Sequence, residues 1–558
     1  MLYYSQSSDC ERIFIMSKGF EARDYQITPV CVRFSSEDAG LTHLYERCTA
    51  LAEENIKQFG DRRVMQEGAK YHGVWLETQP MGGEMYATRD MEIALNNHLI
   101  FMQYQRRDGR MPGMITFRLP FDGMTVHQDW MQGDFFTRSA LRMYYFIGED
   151  KGYLRLLYDC LKDFDEYLWN YRDSDGDGCL EAWCTWDTGD DNSTKLLYQG
   201  VHAHNHGLHC GETVPEDHGG MPFESAEYMA YSYSHRAVLA EISDILGNGE
   251  GDRWRRAAKA VQDKARDYLW DAERGAMFDR DRDNVRIHCL STSNIKCLYH
   301  GLFTQDMADE FIRRHLMNPD EFFTFVPLPS IAANDPLFYL NAEVNNLSTE
   351  ALAKVKQFMA GDIDDNSWSG PVGGLSVQRS LDALLGYGHH AEASAIGRRW
   401  LANLIREDTF VQQYNPFTGK AAPGTEGYGP TVLSALEYLT YLYGVDYVNG
   451  KLIWSISAEG ADSVYEQELF GRVYTLERHD GCAVLRVDGE PVLTAKSGAR
   501  IVTDPDGKVE CVWGMEAAAQ EFWLELDGKR IQGQLKPNQC LVVNGDGFSE
   551  RVQIECAI

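Results

Sequence analysis

Glu149-Asp-Lys-Gly-Tyr-Leu-Arg-Leu-Leu-Tyr-Asp-Cys-Leu-Lys-Asp-Phe-Asp-Glu-Tyr-Leu-Trp169 sets Leu154, Leu157, Leu161, Phe164 and Leu168 at steps of three and four residues. That period puts one apolar stripe on a helix and leaves the charges on its other face. The stretch 89–105 reads differently. Ile93, Leu95, Leu99, Ile100, Phe101 and Met102 cover most of its surface, and a helix apolar nearly all round sits inside a larger assembly. Working outward, the spacing predicts helices near 40–58, 129–147, 224–246, 251–269, 304–315, 347–359, 373–387, 389–405 and 429–443, with a weaker one near 293–300. About a dozen helices, some one-sided and some buried, predict a mainly α fold in two concentric layers, an (α/α)6 barrel. A long α-solenoid is the alternative, but no fixed-period repeat supports it.

After about residue 447 the period falls to two. Val473–Leu476, Ala483–Val487, Val509–Trp513, Phe522–Leu526 and Cys540–Val543 read as strands, with Asp488-Gly489 and Asp527-Gly528 as hairpin turns. The expected organisation is an N-terminal segment with short strands over 1–38, a helical catalytic domain over 39–446 and a small antiparallel, sandwich-like β domain over 447–558. In the first segment, Arg12–Met16 and Pro29–Phe34 are the strand candidates.

The 558 residues are 44% apolar and carry a formal charge of −31, so a phosphate backbone would be repelled and nucleic acid is not an expected partner. No run is long and apolar enough to span a bilayer. The first residues lack a basic start and an apolar core, so no secretory signal is expected. Thirteen scattered cysteines, an odd number with no CxxC, fit reduced thiols and a cytoplasmic location. Composition leaves the oligomeric state open.

Glu181-Ala-Trp-Cys-Thr-Trp-Asp-Thr-Gly-Asp-Asp-Asn-Ser193 packs two Trp and four carboxylates into one loop. Flat rings suit sugar faces, and crowded carboxylates raise one another's pKa, so one can hold a proton at neutral pH. That pairing is what cleavage of a glycosidic bond requires. Trp183 and Trp186 are candidate walls, and Asp187, Asp190 and Asn192 candidate sugar contacts. Met81–Asp90 offers Tyr86, Arg89 and Asp90, the last two able to grip adjacent hydroxyls or to form a helix-terminus ion pair. Asp129-Trp130-Met-Gln132-Gly reads as a helix start whose polar groups line the same cavity, or as a cap with a core Trp.

Asn366-Ser-Trp368-Ser-Gly-Pro adds a third aromatic candidate, and Gln412-Gln-Tyr414-Asn-Pro and Thr425-Glu426-Gly flank the loop before the last helix. Asp173-Ser-Asp-Gly-Asp177-Gly-Cys-Leu-Glu181 opens like a calcium loop, yet Cys184 stands at the twelfth position where Glu is wanted, so calcium and a plain tight turn both stay open. His202-Ala-His204-Asn-His206-Gly-Leu-His209 has the density of a metal site but no standard zinc spacing, and a hydrogen-bonding rim is the preferred reading. No metal or other cofactor is otherwise expected.

These stretches resemble the processing α-glucosidase and trehalase group of inverting glycoside hydrolases, family 63, over most of 75–445. Asp187-Thr-Gly-Asp-Asp191-Asn-Ser193 is similar to that group's Glu-Ser-Gly-x-Asp-Asn-Ser, and Pro329–Pro336 and Trp368–Val372 match further stretches in the right order. The Thr88-Arg89-Asp90 step resembles glucoamylase-like barrels. The resemblance implies an (α/α)6 barrel, Asp191 as general acid, sugar contacts from Arg89, Asp90 and Trp368, and hydrolysis of an α-glycosidic, specifically α-glucosidic, bond in an oligosaccharide or small glycoside.

One departure matters. The group's general base is the Glu of Glu-x-Tyr-Asn-Pro, and here that position is Gln412, whose amide cannot take a proton from water. Three explanations stand. Glu426 has taken the role, Gln412 replaces a natural Glu, or the reaction is phosphorolysis and needs no base. A sugar epimerase using the His202–His209 cluster, or a carbohydrate-binding protein with a dead site, are the readings from other classes.

Overall fold

The computed structural model describes residues 24–117, 124–128, 130–202, 219–359, 367–545 and 547–551. Its α-helices are α1 Ala39–Glu54, α2 Gln79–Met85, α3 Met91–Gln103, α4 Thr137–Phe146, α5 Lys151–Tyr171, α6 Thr194–Tyr198 and α7 Ala226–Leu246. There follow α8 Gly251–Tyr268, α9 Ser293–Tyr299, α10 Gln305–Phe311, α11 Thr349–Phe358, α12 Gly374–Leu385, α13 His390–Glu407 and α14 Gly429–Tyr443.

The stripe on α5 is buried as the period requires, and Asp150 caps the helix by accepting from the Gly152 and Tyr153 N–H groups. Helix α3 is buried at every position from Met91 to Met102 except Glu92. Its outer side is covered by the hairpin of Ile56–Phe59 and Arg62–Met65, which Asn97 joins through both the N–H and the carbonyl of Met65.

Helix packing runs in a closed circuit. Helix α2 packs on α4, α4 on α7, α7 on α9, α9 on α12, α12 on α14, and α14 back on α2. Outside it, α1 lies on α14, α3 on α2, α5 on α4 and α7, α8 on α7, and α13 on α12 and α14. Helix α11, one of the sequence candidates, packs on α6 instead.

Helix α2 escapes the sequence reading because Pro80, Gly82 and Gly83 look like loop. The glycines are there for contact: a Cβ on Gly83 would lie 2.6 Å from Asn97 Cβ, and one on Gly82 would lie 2.9 Å from Leu433 Cδ1. The 129–147 candidate also begins later than expected. Residues 130–136 are irregular, with left-handed φ at Gln132 and Gly133, and the helix starts at Thr137.

Two antiparallel sheets close the C-terminal part. One has six strands, beginning with Val445–Val448 and Lys451–Ile456. The other has seven, and its edge strand is Cys31–Ser36, paired with Ser463–Leu469 from Cys31 opposite Glu468 to Ser36 opposite Ser463. The strand candidate at Pro29–Phe34 therefore belongs with the C-terminal sheets, while Arg12–Met16 lies outside the described residues. Asp488-Gly489 and Asp527-Gly528 take left-handed φ at both positions, as a tight hairpin turn demands. All ten described cysteines are free thiols. Among the described residues no helix is long and apolar enough to cross a membrane.

The close packing of the layers sets a sign that propensity alone would get wrong. Gly→Ala inside a helix normally gains up to about 1 kcal/mol. At Gly397 in α13, however, the new Cβ would lie 2.3 Å from Tyr438 Cδ1 of α14. Gly397→Ala is expected to lower unfolding stability by about 1–3 kcal/mol, measured by denaturant titration, because overpacking outweighs propensity.

Candidate active site

The loop from Glu181 to Ser193 is held from within. Asp187 is fully buried and takes a 2.6 Å ion pair from Arg172 at the end of α5. It also accepts from the backbone N–H groups of Trp183 at 2.7 Å and Met131 at 3.1 Å. Burial pushes its carboxyl up, but the Arg172 charge and these N–H donors outweigh burial and hold it below the ordinary value. Asp190 is tied to Lys296 at 2.8 Å, and Lys296 also reaches the Thr188 carbonyl and, at 3.0 Å, Glu227. Trp183 lies flat against Arg172, 4.4 Å from its guanidinium, and its Nε1–H donates to Glu181.

Three expectations are corrected by these bonds. Asp187, Asp190 and Trp183 face the protein interior, because each is consumed by a partner there.

The far end of the loop docks on the turn before α12. The Trp368 N–H donates to the Asp191 carbonyl at 3.2 Å, and Ser369 Oγ donates to the carbonyl of Asn192, which has a left-handed φ. Asp191 is half-buried at this junction. Trp186 is half-buried and packs edge-on against Trp130 with ring centroids 4.8 Å apart.

Two carboxyls that sequence reasoning missed lie close to this loop. Glu77, just before α2, accepts from Gln132 at 3.1 Å and from Arg379 of α12 at 3.0 Å. The loop rests directly on it: a Cβ on Gly189 would lie 2.1 Å from Glu77 Oε2. Burial raises the Glu77 carboxyl, against the opposing charges of Arg379 and Lys296.

Glu67 is buried and clamped by its backbone, its N–H donating to Gly73 and its carbonyl accepting from Gly429 at the start of α14. Its side chain is hydrogen-bonded to Tyr428. Burial first, then the charges of Glu77 and Asp191, drive it well above the ordinary carboxylate value. The signal that could have found this pair is Tyr71-His-Gly-Val-Trp75-Leu-Glu77, which repeats the aromatic-plus-acid pattern of the Glu181–Ser193 loop.

Gln412 accepts from the Tyr71 hydroxyl at 2.8 Å. Tyr71 and Trp75 also wall a groove of about 410 Å³ with Lys70, His72, Met114 and Phe117. Tyr414 turns inward, packing on Trp400 with its hydroxyl on the Thr409 carbonyl.

Glu426 is exposed and ion-paired with Arg47 of the outer helix α1 at 2.7 Å. Tyr86, Arg89 and Asp90 lie past the other end of α2, roughly 10 Å of helix away from Glu77. They line a separate cleft with Glu53, Lys57 and Arg63, and Asp90 serves as the cap of α3 by accepting from the Ile93 N–H. Asp129, His204, His206, His209 and Asn366 lie outside the described residues. The carbonyl of His202 accepts from Thr185 and its ring packs on Phe358.

Glu227 and Lys296 stand in the first turns of α7 and α9, and the first N–H groups of α12 and α14 bond the carbonyls of Gln412 and Glu67. Helix N-termini favour negative charge, which suits a floor built from carboxylates.

Residues 84–431 match the family described as mannosylglycerate hydrolase MGH1-like glycoside hydrolase domain. Among solved structures, a family 63 mannosylglycerate hydrolase from Thermus thermophilus in complex with glucose is similar at 18% identity and a TM-score of 0.55, over 71% of this chain and 99% of that one. A sialidase is similar at 13% identity and a TM-score of 0.60, over 85% of this chain and 41% of that one. An α-L-rhamnosidase from Streptomyces avermitilis complexed with L-rhamnose is similar at 13% identity and a TM-score of 0.51, over 88% and 40%. At such identities the structures speak for the fold alone. The family match spans more than half of the sequence, and the chain belongs to the MGH1-like glycoside hydrolases.

Proposed function

We propose that this glycoside hydrolase cleaves an α-linked, uncharged small glycoside with inversion, on an (α/α)6 barrel, with Asp191 as general acid and Glu67 as general base. The barrel reading is supported by the closed circuit of α2, α4, α7, α9, α12 and α14. The observation that carries the chemistry is a buried Glu67 carboxyl that feels the charges of Glu77 and Asp191, with Glu77 lying against Gly189 of the loop that bears Asp191.

Glu77 is fully engaged by Gln132 and Arg379, which suits a fixed acceptor for a sugar hydroxyl. Glu67 is left for the water. In the step, Glu67 takes a proton from water, the water oxygen bonds to the anomeric carbon, and the bond to the leaving oxygen breaks. Asp191 gives its proton to that oxygen. Trp130, Trp186 and Trp368 supply the aromatic walls, with Tyr71 and Trp75 along the adjoining groove. Lys296 and Arg379, beside the site, are each bonded to carboxylates, which favours a neutral substrate over an anionic one. α-Glucosides are the first class to assay.

Asp191→Asn is expected to lower kcat by about 10²–10⁴-fold while the thermal midpoint stays within a few degrees of the parent. Near-normal turnover on p-nitrophenyl α-glycosides or disaccharides would remove Asp191 from the mechanism.

The base makes a prediction about pH. A carboxyl whose pKa is raised carries a proton at pH values where an ordinary Glu is ionised, and in that form it cannot accept one from water. Glu67 faces Glu77, Asp191, Arg379 and Tyr428. The acid limb of kcat/KM is therefore expected above the ordinary Glu range near 4.5, activity rising with pH through it. Glu67→Gln should abolish that limb along with most activity, and azide should restore turnover with an inverted glycosyl azide as product. A sugar phosphate formed only with added phosphate would instead identify phosphorolysis, and an isomerised sugar would identify epimerisation.

A further inference from the structure

The loop Asp173–Glu181 lies outside the carboxylate floor just described, and its own geometry is unusual. Asp173, Asp175 and Asp177 bring one carboxylate oxygen each within 4.8 Å of one another, and Asp175, Glu181 and Glu224 do the same. Asp175 belongs to both groups, so the two triads, five carboxylates in all, share one member. Two of them are buried. Glu181 and Glu224 stand directly opposite each other in a two-stranded ladder, Glu181–Ala182 against Phe223–Glu224. Like charges at directly opposed positions destabilise a strand pair, the more so when buried.

Glu181 is satisfied by Ser174 and by Trp183 Nε1–H. Glu224 is not. It is only 6% exposed, and its Oε2 has no hydrogen-bond partner among the described residues. The thiol of Cys179 and the hydroxyl of Tyr268 lie nearby, and Lys264 bonds to Asp177 at 3.2 Å. One lysine does not balance five acids.

We propose that this cluster is a calcium site. Counting Asp173 as position one, Asp175 and Asp177 occupy positions three and five. Gly178, with a φ of +85°, occupies position six, where the loop must turn sharply, and the Cys179 carbonyl stands at position seven. Glu181 falls at position nine. The twelfth position is Cys184, which cannot replace a bidentate Glu. Glu224 supplies that carboxylate from the neighbouring strand, 43 residues further along the chain than Glu181. An all-oxygen, carboxylate-rich shell of six or more donors suits calcium over magnesium, which keeps its waters and demands a tight octahedron. The exposed Asp175 leaves the ion a way in. Bound there, the ion would fix the root of the Glu181–Ser193 loop through Glu181 and Trp183.

The test uses the full chain, stripped with a chelator and passed into calcium-free buffer. One millimolar calcium is expected to raise the thermal midpoint by about 3–6 °C, and magnesium by less than half as much. Calorimetric titration with calcium should give one site per chain. Glu224→Gln removes a buried charge, so without calcium it should melt no lower than the parent, yet it should lose the calcium shift. Asp175→Asn should weaken calcium binding at least tenfold while leaving the fold intact. No calcium shift and no calorimetric binding in the parent would overturn the site, as would an undiminished shift in both variants. An equal response to magnesium would overturn the assignment to calcium.

Discussion

The buried pair of Arg172 and Asp187 is the constraint on which the site rests. Both side chains are essentially inaccessible. An ion pair taken fully out of water survives only when its remaining donors and acceptors are satisfied, and here Asp187 also collects N–H groups from two separate stretches, around Trp183 and at Met131. The pair thereby joins three pieces of chain at one point: the end of α5, the loop that carries Asp191, and the irregular stretch that presents Trp130 and Gln132. Removing one partner would leave a charge stranded in a medium that cannot solvate it, a cost of about 3–5 kcal/mol. Lys296 repeats the arrangement one turn further along, binding Asp190 and Glu227 together. The acid-bearing loop is thus held by cations beneath it, which leaves the side chains at its edge for other work.

This explains how the crowd of acids in Glu181–Ser193 divides. The sequence shows four carboxylates within thirteen residues and gives no means of telling them apart, because their partners are remote. Arg172 is 15 residues from Asp187, and Lys296 is 106 from Asp190. The same blindness misplaces Glu426. Its position in a Gly-rich loop before a helix looks functional, yet Arg47, 379 residues away, holds it on the outside. Arg89 and Asp90 mislead for a different reason. A helix start that grips a sugar and a helix start that merely caps itself have the same residues, and only the direction of α2 decides between them.

Much of the fold was legible because it is written in local period. The stripe of α5, the all-round burial of α3 and the alternation after residue 447 each follow from which residues must leave water. Helix α2 was not legible, and the reason is packing. Its glycines lower helix propensity, and they are present because Asn97 and Leu433 approach its backbone too closely for any side chain. A signal that reads as a break in local terms is here a contact between layers. The join of Cys31–Ser36 to the C-terminal sheet was hidden likewise, since its partner strand lies more than 400 residues away.

The position of Gln412 takes on meaning from this geometry. An amide there accepts from the Tyr71 hydroxyl, and Tyr71 in turn packs against Tyr428, the residue that hydrogen-bonds Glu67. A carboxylate at residue 412 would add another negative charge to a neighbourhood already holding Glu67, Glu77 and Asp191. Burial, with the charges of Glu77 and Asp191, already holds Glu67 well above its ordinary value. A fourth carboxylate would push the set further toward protonation. Gln412 keeps the shape and the hydrogen bond without the charge. An amide at Gln412 beside the Glu67 carboxyl therefore leaves this buried neighbourhood with one charge fewer than a carboxylate there would.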